Sequence, residues 1–419
     1  MAYRARIIDK RINDLMEISG GILIEGCKWC GKTTTAKQHA KSFIEFQNPD
    51  RQKEFEQIRD TRPSLFLEGE KPRLFDEWQR FPVVWDAIRM DIDRTGATGQ
   101  YLLTGSARPA EGVTMHTGTG RINRVVMRPM SLFEQGFSDG KVSLSDIADG
   151  KDISALNEMR LEDLADYIVW GGWPLIPSTK KDLRPLISRE YFDSIIHEEV
   201  SALDGTERNY DKMRGVIRSL SRNLSTPVNL TTLEKDTEDL FSQDVSRVTV
   251  RDYLNVLKKL FVVYDVPATT LSFRSKSAIR TTPKRELVDP SVATAALGIG
   301  PSDLMKDLRT FGFMFECLAL RDLIFYSGGT GENIYYYRNA DGFEIDAIIH
   351  LPNGKWGAVE VKLGDGQIDG AATNLLSLRD MLDPSKGDDL AFLMVLTATN
   401  YSYRRDDGVY VVSIGSLRD

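Results

Sequence analysis

The sequence predicts an α/β protein built from more than one domain, and three observations carry that prediction. Residues 26–33 read G-C-K-W-C-G-K-T, with a short apolar stretch before them and a helix-like stretch after them. Residues 213–260 hold three helical patterns that give way to an extended run. Residues 343–362 hold two alternating stretches, the second ending in E-V-K.

The chain has 419 residues, more than one ordinary core requires, so two or three domains are expected. Hydrophobic residues make up 41% and charged residues 27%, a globular rather than a disordered composition. A net charge of −7 argues against a surface that coats nucleic acid throughout, while leaving room for a local basic patch. No apolar stretch approaches the length of a membrane span, and the first residues lack the apolar core of a signal peptide. Three cysteines, Cys27, Cys30 and Cys317, are too few for a disulfide framework, which points to a reducing cytoplasm, and the lack of an apolar span gives the expectation of no membrane.

Taken in order, the first element is the apolar stretch 21–25, suited to a buried parallel strand, followed by the loop and a helix from Thr34. Glycines at 26 and 31 let the backbone curl so that its N–H groups converge on a phosphate chain, and the helix N-terminus adds partial positive charge. The expected nucleotide-binding residues are Gly26, Cys27, Lys28, Trp29, Cys30, Gly31, Lys32, Thr33 and Thr34. Lys32 would neutralise the outer phosphates and the Thr33 hydroxyl would ligate Mg²⁺, so a nucleoside triphosphate, ATP, and Mg²⁺ are the expected cofactors. Cys27 and Cys30 form a C-x-x-C, but no second cysteine pair exists to complete a zinc site, and they are read as loop residues.

About 40 residues on, 72–77 reads P-R-L-F-D-E, a short strand ending in two carboxylates. Asp76 suits the Mg²⁺ shell and Glu77 suits polarising the attacking water. A further apolar strand ends at Thr104-Gly105-Ser106, where either hydroxyl would meet the γ-phosphate or the water. Arg121, after the stretch His116-Thr117-Gly118-Thr119-Gly120, is the candidate arginine finger, acting within the chain or on a neighbouring subunit of a homo-oligomer.

Beyond Asp204-Gly205-Thr206, helices are expected over 213–224, from Leu230, and over 248–260, the last capped by Ser246 or Thr249. The extended run 261–266 follows, a pattern that suggests a winged helix-turn-helix. Residues 206–290 carry 15 Lys and Arg against 11 Asp and Glu. The excess concentrates in 271–285, at Arg274, Lys276, Arg280, Lys284 and Arg285, and would suit the phosphates of double-stranded DNA; a basic face on a protein-binding module is the competing reading.

In the last third, Glu360 and Lys362 lie two apart on one strand and so share a face. An antiparallel neighbour would bring Asp346 beside them, and Glu316 lies on the preceding helix expected over 311–326. Carboxylates so placed would hold a divalent metal while the lysine orients water. His39, His116, His197 and His350 are scattered, with no pair at metal-ligand spacing.

The blocks G-C-K-W-C-G-K-T, D-E-W-Q-R-F-P at 76–82, L-T-G-S at 103–106, G-R-I at 120–122 and R-P-M-S-L-F-E at 128–134 resemble the AAA-14 ATPases. These are bacterial and archaeal AAA+-like proteins that usually carry a C-terminal DUF4143 domain. G-G-W-P at 171–174 and K-R-E-L-V-D-P at 284–290 agree with that resemblance. Two departures stand out, the Cys-Lys-Trp-Cys run in the loop and Trp78 where a smaller apolar residue is usual. The grouping of Asp346, Glu360, Lys362 and Glu316 in turn resembles the PD-(D/E)xK nuclease superfamily, whose fold serves both nucleases and inactive binding modules. The resemblances imply an AAA+-like P-loop ATPase domain with a helical lid over 1–205, a winged-helix module over 206–290 and a restriction-endonuclease-like α/β domain over 291–419. An ATP-controlled protein acting on DNA is the expected function. The rival is an ATP-dependent scaffold or signalling switch that binds protein partners and cuts nothing.

Overall fold

The computed structural model describes residues 3–106, 118–199, 209–241, 245–269, 281–328, 331–339, 341–382 and 389–419. The chain divides into two compact units, one built mainly from Met1–Pro129 and the other mainly from the chain beyond Met130.

The first unit is a parallel sheet of five strands: β1 (Gly21–Gly26), β2 (Ser42–Glu45), β3 (Arg73–Asp76), β4 (Tyr101–Gly105) and β5 (Ile122–Met127). Their order is β2-β3-β4-β1-β5. The strand that ends in the phosphate loop and the strand that ends in Asp76 are thus separated by β4 alone, and all three deliver their C-terminal ends to one edge. β1, β3 and β4 are almost wholly buried, which explains their continuous apolar runs. Phe46 packs with Phe55, Phe66, Phe75 and Phe81 at centroid distances of 5.0–6.1 Å. Trp78, the larger residue in the D-E-W-Q-R block, lies against Trp85 at 4.9 Å, so the core has a place for its extra volume.

The second unit centres on a mixed sheet in the order β7-β15-β16-β14-β13-β12-β11-β9. Its strands are β7 (Ser154–Leu156), β9 (Ala268–Thr269), β11 (Ile334–Arg338), β12 (Glu344–His350), β13 (Trp356–Lys362), β14 (Leu390–Thr397), β15 (Tyr401–Arg404) and β16 (Tyr410–Ser413). Two short strands, β6 (Val142–Ser143) and β17 (Leu417–Arg418), pair in parallel. The described residues from Met130 to Glu199, read from the sequence with the ATPase domain, therefore belong to the second unit. β7 joins the C-terminal sheet through β15, and β6 joins β17. Strands of two or three residues carry no sign in their own sequence of so distant a partner.

The three expected helices form as Tyr210–Arg222, Leu230–Phe241 and Arg247–Lys259. Ser246 accepts from Thr249 N at 3.2 Å, so Ser246 is the capping residue. β8 (Val263–Val266) then pairs antiparallel with β10 (Lys284–Leu287). Arg274, Lys276 and Arg280 of the basic stretch, and the boundary expected at 204–206, lie outside the described residues.

The helix Leu308–Tyr326 runs through this unit and is buried along most of its length. Its Arg321 is fully enclosed and meets Asp289 at 2.5 Å and Asp322 at 2.8 Å. Asp289 accepts from Gly172 N at 2.9 Å, and Asp322 accepts from Leu132 N at 3.0 Å. A Cβ on Gly172 would fall 2.3 Å from the Met130 carbonyl oxygen, which explains glycine in the G-G-W-P block. Arg321→Leu strips both aspartates of their shared cation while keeping side-chain bulk. The expected cost is about 3–5 kcal/mol, the usual penalty for leaving buried charge unpaired. Denaturant unfolding measures it, and a variant as stable as the parent would show that the aspartates need no cation.

Candidate functional site

The phosphate loop begins where β1 ends. Gly26 has φ +152°, and a Cβ there would lie 2.0 Å from the Met127 carbonyl oxygen, so only glycine fits. Trp29 and Gly31 also take positive φ, 64° and 99°, and Gly31 leads directly into the helix Lys32–His39. Lys32 is buried and donates to Cys27 O at 2.8 Å, which folds its ammonium back over the loop. Arg6, which the sequence did not single out, donates to Cys30 O and to Arg128 O, both at 2.9 Å, and so ties the loop to the end of β5. A structural arginine this far from the motif leaves no local signature.

Asp76 is the hub of the site. It is fully buried and accepts from the Thr33 hydroxyl at 2.6 Å and from the Thr104 hydroxyl at 2.6 Å through Oδ1. Gln47 donates to its other oxygen at 3.3 Å. A loop threonine hydrogen-bonded to a buried carboxylate is the donor pair that suits a hydrated Mg²⁺. Glu77 stands next to it in the left-handed region, φ 54° and ψ 49°, a conformation that a non-glycine residue keeps only when its surroundings impose it. Its N–H donates to Thr104 Oγ1 at 3.2 Å, and its carboxylate accepts from Gln79 at 2.5 Å and Ser106 at 3.1 Å. Thr104 and Ser106, expected to face the γ-phosphate or the water, lie at this same edge and donate to Asp76 and Glu77.

Arg121 is not brought to this edge. Gly21 is paired with Ile122 and Gly26 with Met127, so Arg121 lies at the start of the sheet, about 20 Å from the loop at roughly 3.3 Å per residue. There it donates to Asp93 at 2.7 Å. The physical reason is direct: in a parallel sheet, the residue that precedes a strand sits at the edge opposite to the one where the neighbouring strand ends.

The second constellation forms in the second unit. β12 and β13 are antiparallel, with Ala347 opposite Val359, which brings Asp346 beside Glu360. Lys362 contacts Glu360 at 2.5 Å and Asp346 at 3.0 Å, and Val361 N donates to Asp346 at 2.8 Å. Two members were not anticipated in this role. Glu344 precedes Asp346 by two and shares its face; Lys284, assigned from the sequence to DNA phosphates, is buried here. Its Nζ lies 2.8 Å from Glu316, 2.8 Å from Glu344 and 4.0 Å from Asp346. Lys284 is thus withdrawn from any phosphate backbone, because three carboxylates compensate its burial. Among the described residues, no group of three or more His, Cys, Asp or Glu is arranged to hold a metal ion. The expected ligands Glu316, Asp346 and Glu360 are gathered, but around lysines.

Burial pushes the Glu316 carboxyl up to about 8, against the pull of Lys284. Burial, reinforced by Asp346, pushes Glu360 up to about 8 as well. Glu286, on the same strand as Lys284, is raised by burial to about 7. Burial alone would raise Asp346 too, but Lys284, Lys362 and Val361 N–H outweigh it and hold Asp346 below the usual carboxylate range. The folded chain therefore holds protons on glutamates that the unfolded chain releases near 4.5. Stability falls as pH rises from about 5 to about 8 wherever the folded state binds more protons than the unfolded one. Asp346 acts only below that window. The three glutamates should accordingly lower the unfolding temperature of the full chain as pH rises through it, against a smaller opposite contribution from the Cys30 thiol, and Glu316→Gln should flatten the slope. An equal slope in both proteins would remove Glu316 as its source.

Residues 19–135 match the family model described as an AAA domain, residues 161–303 a domain of unknown function (DUF8612), and residues 311–417 a domain of unknown function (DUF4143). An uncharacterized protein of Mycobacterium tuberculosis is 22% identical over 346 residues, covering 80% of this chain and 69% of its own length. The same figures hold for an uncharacterized protein of Mycobacterium bovis. Among solved structures, a Walker-type ATPase of Pyrococcus abyssi aligns at 11% identity and a TM-score of 0.39, over 69% of this chain and 94% of that one. A replication initiator DnaA bound to AMPPCP and single-stranded DNA aligns at 12% identity and a TM-score of 0.28, over 60% and 86%. No described helix is long and apolar enough to cross a membrane. The motif, the parallel sheet and the AAA-domain match together identify the first part of the chain as a P-loop ATPase-like domain.

Proposed function

We propose that the chain is a Mg²⁺-dependent ATPase whose nucleotide cycle governs what its second unit binds. The observation that carries this reading is the linked set Thr33–Asp76–Thr104–Glu77, built at the C-terminal edge of three adjacent strands. Loop N–H groups and Lys32 would receive the phosphates. Thr33 and Asp76 would hold Mg²⁺, which when bound neutralises charge on the β- and γ-phosphates. Glu77, aimed by Gln79 and Ser106, would orient the attacking water and accept its proton.

The second unit is proposed to engage duplex DNA through 206–290, read as a winged helix-turn-helix. The three helices, the β8–β10 pair and the basic composition support that reading. A protein-binding scaffold is the second reading, and the lysine-filled carboxylate cluster favours it over metal-dependent cleavage.

Lys32→Ala should abolish ATP binding, and Glu77→Gln should keep binding and lose turnover, because an amide still hydrogen-bonds but takes no proton. Equilibrium binding and steady-state hydrolysis decide this, and parental turnover in Glu77→Gln would remove Glu77 from the mechanism. Arg121, at the far edge of its own sheet, can act only on a neighbouring subunit. In that role it contributes roughly 10³–10⁵ to turnover. Turnover per subunit should then rise with protein concentration, and Arg121→Ala should erase the rise; a concentration-independent rate discards the finger.

A further inference from the structure

Four segments of the second unit send charged side chains to one buried locus: β10 with Lys284 and Glu286, the helix Leu308–Tyr326 with Glu316, β12 with Glu344 and Asp346, and β13 with Glu360 and Lys362. Lys362 is the lysine of E-x-K and serves Glu360 and Asp346. Lys284 has a different origin, since β10 pairs with β8 and lies outside the sheet that carries β12 and β13. Its ammonium nevertheless sits 2.8 Å from both Glu316 and Glu344, and Asp346 Oδ1 lies 4.0 Å away.

We propose that Lys284 is the resident cation of this cluster, filling the place a divalent ion would take, so that the second unit is held together without a metal. The chemistry follows from charge and reach. Carboxylates that converge in a buried space need a cation, and either a metal or an ammonium can supply it. The N–O separations of 2.8 Å are those of charge-assisted hydrogen bonds and exceed Mg²⁺–oxygen distances of about 2.0–2.1 Å. Asp346 is fully committed, since its Oδ2 accepts from Lys362 and from Val361 N while Oδ1 faces Lys284. The Tyr336 ring, 5.3 Å from the Lys284 ammonium, adds a cation–π contact. One acceptor is left over: Glu286 Oε1 is buried and has no hydrogen-bond partner, on the strand face that Lys284 shares two residues away. The cluster therefore has more acceptor capacity than its two lysines fill. Removing Lys284 leaves Glu316, Glu344 and Asp346 facing a common point without the cation they share.

This inference stands apart from the ATPase reading, and its test uses the full chain without nucleotide. Mn²⁺ binding is followed by the loss of the free-ion paramagnetic signal and by thermal unfolding. The parent should show no Mn²⁺-induced rise in melting temperature. Lys284→Met should bind one Mn²⁺ per chain and melt higher with it, and adding Asp346→Asn should abolish both effects. Lys284→Arg, which keeps a cation, should fold and stay insensitive to Mn²⁺. If Lys284→Met folds only when Mn²⁺ is present, the metal has replaced the ammonium and the proposal holds. Mn²⁺ binding by the parent that Asp346→Asn removes would overturn it. So would a Lys284→Met protein that binds no Mn²⁺ when folded, or that Mn²⁺ fails to fold.

Discussion

The helix Leu308–Tyr326 is enclosed along most of its length, so each charge it carries must be matched inside the protein. That constraint organises the second unit. Arg321 and Asp322 fix the segments around Leu132, Gly172 and Asp289, which are far apart in the chain. About one and a half turns earlier on the same helix, Glu316 receives the Lys284 side chain from β10 into the carboxylate cluster. Burying an ion costs several kcal/mol unless it is paired, so these networks select one arrangement of strands and helices rather than merely decorating it. The G-G-W-P and V-D-P blocks gain a physical meaning here: Gly172 lets the Met130 backbone approach, Trp173 Nε1 donates to Ser291 at 3.1 Å, and Asp289 receives Arg321.

In the first unit the organising constraint is strand order. Placing β4 between β1 and β3 puts Thr104 where one hydroxyl can serve two acidic residues at once, donating to Asp76 and accepting from Glu77 N–H. Without that bridge, Glu77 would have little reason to keep a left-handed backbone. The strain and the hydrogen bonds together fix the carboxylate in place, which is the preorganisation that its proposed role in water activation needs.

What could be read from the sequence was whatever had a local signature. The loop, the strands leading to Asp76 and Thr104, the helices at 210–259 and the strand 356–362 all lie close to their expected places, because periodicity and apolar runs are short-range signals. The gathering of Asp346 with Glu360 and Lys362 followed from strand alternation and pairing. Lys284 did not, because its partners come from elements 32 to 62 residues away and the stretch 271–285 around it carries basic residues and no acid. A lysine in a basic run looks solvated until a buried glutamate is known to face it. The edge that Arg121 occupies was not legible for a complementary reason: the G-R-I block fixes its sequence position, but only the register of β5 against β1 reveals which end of the sheet it lies at.

The phosphate loop shows the same interplay of local motif and distant partner. Its C-x-x-C is not a metal site among the described residues, and both sulfurs are buried. Burial would raise the Cys30 thiol, but the Cys27 thiol, Lys32 and Arg6 outweigh it and bring it down to about 6. Lys32, the residue proposed to neutralise phosphate charge, meanwhile donates to Cys27 O. Lys32 is thus already engaged by a backbone carbonyl of the loop, while the buried Cys30 thiol donates to Met127 O at 3.6 Å. A triphosphate has to offer Lys32 more than a neutral carbonyl does, and its several negative charges do so. The bulky, cysteine-containing loop is compatible with nucleotide binding because what it lends to Lys32 is weaker than what the nucleotide brings.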